Sequence, residues 1–159
     1  MKVFKFFNLI LLIIFAQFIT NCSSKSSMKP EDFKDKKPRL IIEEYLAGEV
    51  KAWGILQNRS GKVTRQFSAT LNGKWDGTQL ILDEIFNWDD GEVQNRQWKI
   101  NKIDQHNYEG TAGDVVGKAK GFSYGPAFKF EYVLLVPVKG KEMKITFDDW
   151  IFKQDDRVA

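Results

Sequence analysis

From Gly48 onward the chain alternates apolar and polar residues in short runs, and each run is broken by a cluster of Gly, Asn, Asp or Pro. The clearest run is Ala127–Pro137. There Phe128, Phe130, Tyr132, Leu134 and Val136 alternate with Lys129, Glu131, Val133 and Leu135. A period of two is the period of a strand, whose successive side chains point to opposite faces. The other runs are Gly48–Gln57, Lys62–Trp75, Gln79–Trp88, Glu92–Ile103, Tyr108–Ala112, Lys118–Tyr124 and Lys141–Lys153. In Lys62–Trp75 the residues Val63, Arg65, Phe67, Ala69 and Leu71 share a face, and Gly73 predicts a bend or bulge. Asn58–Gly61, Asp76-Gly77, Asp89–Gly91, Asp104–Asn107, Gly125-Pro126 and Lys139-Gly140 are turn sequences.

Eight strand candidates joined by short turns predict a mostly β, antiparallel, up-and-down meander. A meander of this size hides its edges by closing into a barrel, whose interior holds packed side chains or one small ligand. One helical pattern precedes it. Pro38 opens Leu40–Leu46 and Gly48 follows, which predicts a short helix over Pro38–Ala47 covering one end of the barrel. Residues 38–159 are thus expected to form a single domain. Before it, Ser23–Lys37 is polar, rich in Ser and Lys, and reads as a flexible tether (residues 22–37).

The N-terminus carries a second message. Lys2 and Lys5 head the apolar run Phe6–Ile19, which is shorter than the roughly 20 residues a membrane span needs. Ile19-Thr20-Asn21-Cys22 ends that run, and Cys22 is the single cysteine of the chain. A basic head, a short apolar core and a cysteine at its end predict a lipoprotein signal peptide over residues 1–21, cut before an acylated Cys22. Asn21 is an atypical residue just before such a cysteine. Several acyl chains would hold the protein on a bilayer, which one chain does only marginally. Ser23 follows the cysteine. By resemblance to Gram-negative lipoproteins, that residue implies the outer membrane, periplasmic face. Two of the 24 basic residues leave with the signal, so the remainder nearly balances the 21 acidic ones. A near-neutral domain has no electrostatic footprint for nucleic acid. With Cys22 acylated, no thiol is left for a disulfide in an oxidising compartment.

Several stretches carry a family resemblance: Ala52-Trp53-Gly54, Arg59-Ser60-Gly61, Trp75-Asp76-Gly77, Asp89–Glu92 with Trp98, Tyr108–Gly117 and Phe147-Asp148-Asp149-Trp150. The chain resembles the bacterial lipoproteins grouped as domain of unknown function 3833. The resemblance spans Leu46 to Asp156. It implies a lipocalin-like barrel with no assigned activity, and an association with genes that modify membrane fatty acids. It also implies one or two strands beyond the Phe147–Trp150 block. This chain stops at Ala159, so the expectation is either closure with fewer strands or an open seam.

The chemistry-bearing residues are few. His106 stands alone in a turn, without the partners a zinc site or a Ser-His-Asp triad requires, and reads as solvated. No glycine-rich loop opens a helix, and no cofactor or metal is expected. Asp89, Asp90 and Glu92 read as hairpin-turn chemistry. Asp148 and Asp149 interrupt a strand. Either a bulge leaves both in water, or one faces inward and needs a partner such as Arg96 or Arg65. Five tryptophans, at positions 53, 75, 88, 98 and 150, lie in the strand region. The expected ligand-binding residues are Trp53, Trp75, Arg96, Trp98, Phe128, Tyr132, Asp148 and Asp149. Three readings compete: a membrane-anchored module for a fatty acyl or phospholipid ligand, an accessory lipoprotein with a solid core and a protein partner, and an enzyme using Asp148 and Asp149.

Overall fold

Eight strands follow one another in space as they do in sequence: β1 (Gly48–Gln57), β2 (Val63–Trp75), β3 (Gln79–Trp88), β4 (Val93–Lys102), β5 (Asn107–Thr111), β6 (Ala119–Tyr124), β7 (Ala127–Val138) and β8 (Lys141–Phe152). The computed structural model describes residues 28–58, 60–138 and 140–159. The stretch read as a signal peptide, Cys22 and the start of the stretch read as a tether lie outside the described residues. Every pairing is antiparallel, as the alternating runs predict. Gly61, Gly77, Gly91 and Gly140 turn the hairpins in the left-handed region that glycine enters without steric cost.

The sheet curls into a half-barrel and stays open. β1 pairs only with β2, and β8 only with β7. The concave face carries the apolar half of each alternation: Leu80 and Leu82 on β3, Trp98 and Ile100 on β4, Phe128, Phe130, Tyr132 and Leu134 on β7. Trp98, Phe130 and Tyr132 pack as a tilted and edge-to-face aromatic group, with ring centroids 5.0 to 5.6 Å apart.

One end of the half-barrel is plugged. The helix α1 covers only Ile42–Tyr45, shorter than the predicted Pro38–Ala47. The reason is that the sheet claims the preceding backbone. The Leu40 amide donates to the Gly125 carbonyl at 2.8 Å, and Ser123 Oγ donates to the Leu40 carbonyl at 3.1 Å. Leu40, Ile42 and Leu46 are buried in the core. Each such side chain contributes about 1.5–3 kcal/mol by leaving water. Gly73 makes room for this plug rather than a bulge. It pairs with Gly48 and Leu82 in unbroken register, and a Cβ there would stand 1.8 Å from the Leu46 carbonyl oxygen. Glu43 of α1 is buried, accepts a hydrogen bond from Tyr108 Oη at 2.8 Å, and pairs with Lys102. Burial pushes its carboxyl up, but Lys102 and Tyr108 outweigh that and hold it below the usual range.

Part of the stretch read as a tether is docked. Pro30–Phe33 forms a 3₁₀ turn in which Pro30 is buried. Phe33 meets the Phe152 and Trp150 rings edge-on at 5.1 and 6.3 Å. Buried Pro30 and the Phe33 ring hold the segment against β6, β7 and β8. His106 departs from its solvated reading in the same way. Its Nδ1 donates to the Ser123 carbonyl at 2.7 Å, and its ring stacks on Tyr124 at 4.1 Å.

Candidate functional site

The end of the half-barrel opposite α1 is hollow. A cavity of about 1060 Å³ opens there, in the size class of small-molecule sites. Its walls come from the ends of strands that have left the plugged core. Phe67 on β2, Phe86 and Trp88 on β3, Leu134 and Val136 on β7, and Phe147 on β8 all reach it. Phe67 packs edge-on against Phe86 and Trp88, at 5.4 and 5.2 Å. A second, smaller cavity of about 160 Å³ lies deeper, between the plug and the aromatic group of β4 and β7. Phe86, Arg96, Tyr132 and Asp149 line both, and so stand between the two.

The outer rim is held by Arg65. Its guanidinium lies 4.0 Å over the Trp88 ring and donates to Asp90 and Glu92 at 2.8 and 2.7 Å. The Asp89–Gly91 turn forms as predicted, and it also fixes this arginine. These groups are solvent-accessible, and pairs of that kind contribute little to stability.

Between the two cavities lies a polar floor. Arg96 on β4 stands opposite Glu84 on β3. The Arg96 Nε and Nη2 donate to the Asp114 carboxylate at 3.1 and 2.7 Å, a forked pairing. Arg96 Nη1 stands 3.8 Å from Glu84 Oε2, beyond hydrogen-bond length. Burial acts to lower the Arg96 pKa, but Asp114 and Glu84 raise it further, so the guanidinium stays charged. On the far wall, Tyr132 on β7 donates its hydroxyl to Asp149 on β8. Burial and this acceptor push the Tyr132 hydroxyl well above its ordinary range.

Glu84 is the unusual member. It is 9% exposed, and its Oε2 atom is buried without a hydrogen-bond partner among the described residues. Burial pushes its carboxyl up to about 7, and Arg96 only partly offsets this. Asp149 is also pushed up by partial burial, against the pull of Tyr132 and Arg96. Asp149 lies on the edge strand and remains more exposed than Glu84.

Of the residues expected to bind a ligand, Arg96, Tyr132 and Asp149 line both cavities, while Trp98 and Phe128 line the deeper one. Trp75 packs against the core at the plugged end, away from both. Trp53 points the other way. It is 74% exposed on the convex face, because its neighbours Ala52 and Gly54 take the inner positions of β1. Asp148 also faces outward, where Lys129 Nζ lies 3.2 Å away. β8 runs without a bulge in register with β7, so Asp148 and Asp149 project to opposite faces and form no pair. Arg65 is taken by Asp90 and Glu92, and the inward Asp149 is met by Tyr132 instead. Glu84 and Asp114 were not among the expected residues. Glu84 shares its face with Leu80, Leu82 and Phe86, but Ile81 and Ile85 make the other face apolar too, so the sequence does not say which face turns inward.

The model of the family described as "Protein of unknown function (DUF3833)" matches residues 16–159. The chain belongs to that family. No curated protein and no solved structure matches it. What the half-barrel of this DUF3833 member offers a ligand is apolar walls, an open mouth lined also by Arg65 and Lys99, and a floor where Arg96 stands among Glu84, Asp114 and Asp149.

Proposed function

We propose that this DUF3833 protein is a lipid-anchored outer-membrane lipoprotein, held on the periplasmic face through an acylated Cys22, whose lipocalin-like half-barrel holds the apolar chain of a lipid or fatty acyl ligand. The observation that carries this reading is the cavity of about 1060 Å³ with aromatic and aliphatic walls. A cleft of this size with apolar walls is in the range of small-molecule sites. Burying an acyl chain there contributes about 0.8 kcal/mol per CH₂. An anchor at Cys22 supports the reading further, because it would keep the mouth near a bilayer, where acyl chains are the abundant apolar solute.

Mass spectrometry of the intact protein from its native membrane tests both halves. The expected result is a chain beginning at an acylated Cys22, with lipid co-purifying in a defined ratio. Cys22→Ser is expected to release the protein from the membrane fraction or leave an uncleaved precursor. A full-length mass with a free thiol contradicts the anchor, and a lipid-free native protein contradicts the ligand. A second reading, an accessory lipoprotein with a protein partner, is favoured by one feature: Trp53 and Ile55, 74% and 52% exposed, both face outward on the edge strand β1.

A further inference from the structure

β5 and β6 are too short to wall the hollow end. β5 pairs with β4 only at residues 99–102, and β6 pairs with β7 only at residues 127–131. Past those pairs no strand stands between residues 93–98 of β4 and 132–138 of β7. The loop after β5 crosses there instead. Its Asp114 side chain is joined to Arg96, and the Asp114 carbonyl accepts from the Leu135 amide at 3.0 Å. Arg96 and Leu134 of the inner face border the cavity, but so do Gln97 and Leu135 of the outer face. Successive side chains of a strand point to opposite faces, so the cavity runs out sideways through the gap between β4 and β7. Just past β4, the Ile103 amide donates toward β5, to the Asn107 carbonyl at 2.9 Å. Bonding direction alternates along a strand. The backbone groups of Asn95 and Gln97 therefore face the same side, into the gap, where no strand meets them.

The charged groups that line this cavity are Arg65, Arg96, Lys99, Asp114 and Asp149, and they are not equally committed. Asp114 is held by Arg96, and Asp149 by Tyr132. Arg96 faces Glu84 as well. Arg65 donates to Asp90 and Glu92. Its buried Nε has no hydrogen-bond partner among the described residues, but an anion there would stand beside those two carboxylates. Lys99 makes no ion pair among the described residues. It is exposed on the outer lip of the gap, with Thr111 across from it in register. Two acids share this face, and both have other partners. Asp83 accepts from Gln97 Nε2 at 2.7 Å, and Glu109 takes Lys118 at 2.6 Å.

On the footing of the proposed chain-binding function, we infer that the ligand is an anionic amphiphile, whose chain lies along the apolar walls and whose carboxylate or phosphate head comes out through the gap between β4 and β7 to meet Lys99. An apolar chain lying in the gap would cover the backbone groups of Asn95 and Gln97 and leave them without water or a partner. The polar end of the ligand therefore belongs there. Lys99 gives that end its sign. A cationic head would meet the ammonium as a like charge, and an alcohol leaves its charge unanswered.

The test titrates decanoate, decyl phosphate, decanol and decylamine calorimetrically into the full-length protein in phosphatidylcholine vesicles at about pH 8, with protein-free vesicles as the reference. The two anions are expected to bind about tenfold or more tighter than decanol, and decylamine weakest. The order of the two anions separates a fatty-acid ligand from a phosphate-headed one. Lys99→Gln is expected to bring the anions to within a few fold of decanol, and Lys99→Glu to place decylamine ahead of them. Lys99 is exposed, so both variants should keep the fold, which circular dichroism checks. Should one misfold, the other and the wild-type ranking decide. A wild type without preference for the anions, or a preference that survives Lys99→Gln, overturns this inference and leaves the chain-binding function standing. No saturable binding of any probe overturns both.

Discussion

Replacing Glu84 by Gln keeps the shape of the side chain and removes its charge, and the consequence for stability has a definite sign. The folded-state pKa is about 7, above the ordinary value of 4.5. Between those values the folded chain holds a proton that the unfolded chain releases. Stability therefore falls as pH rises through that window, by about 1.4 kcal/mol for each pH unit between the two values and up to about 3 kcal/mol in all. Asp149 acts in the same direction. Glu43, Asp76, Asp90 and Asp104 are held low and act oppositely, losing their stabilisation on the acid side. Urea midpoints of the wild type should drop between about pH 5 and about pH 8, and Glu84→Gln should flatten most of that drop. An unchanged slope in the variant would show that Glu84 ionises freely. The residue escaped notice in the sequence because β3 is apolar on both faces: Leu80 and Leu82 point in, while Ile81 and Ile85 point out. No alternation there says on which side an acid falls. On β7 and β4 the alternation groups Tyr132 with Phe128 and Phe130, and Trp98 with Arg96 and Ile100, on common faces, without saying which face turns inward.

At the scale of elements, the plug depends on one polar cluster inside an apolar contact. Glu43 serves both Lys102 and Tyr108. Loss of its charge leaves a partly buried ammonium without its counter-ion, and one amide oxygen where Lys102 and Tyr108 each had an oxygen of their own. Glu43→Gln is expected to cost about 2–3 kcal/mol in chemical denaturation, and Tyr108→Phe about 1 kcal/mol, since the latter leaves the Lys102 pair intact. A loss below about 0.5 kcal/mol for Glu43→Gln would mean that Leu40, Ile42 and Leu46 hold the plug without it. The strands were nearly all legible to within a residue or two at each end, because glycine turns punctuate an alternating pattern. α1 was overestimated because a proline and a glycine bracket a segment whose first residues bond to the sheet instead. That competition for the Leu40 backbone comes from Gly125 and Ser123, more than eighty residues away, and leaves no local signature.

At the scale of the molecule, the alternation fixes the number and order of strands but not how far the sheet curls. Closure depends on tilt and on the register between first and last strands, neither of which a one-dimensional pattern carries. The open edges of β1 and β8 and the hollow end opposite the plug follow from that curl, and the proposed receptacle rests on them. The most direct test is a chain-length series of n-alkanols titrated into the full-length protein in vesicles, with tryptophan fluorescence as the readout and protein-free vesicles as the reference for partitioning. Trp88 and Trp98 line the two cavities, so occupancy should shift the emission. Affinity beyond the partitioning reference should strengthen by about 0.8 kcal/mol per added CH₂ and level off once the cavity is filled. An emission that does not shift, or a length dependence no different from that of protein-free vesicles, would contradict the account.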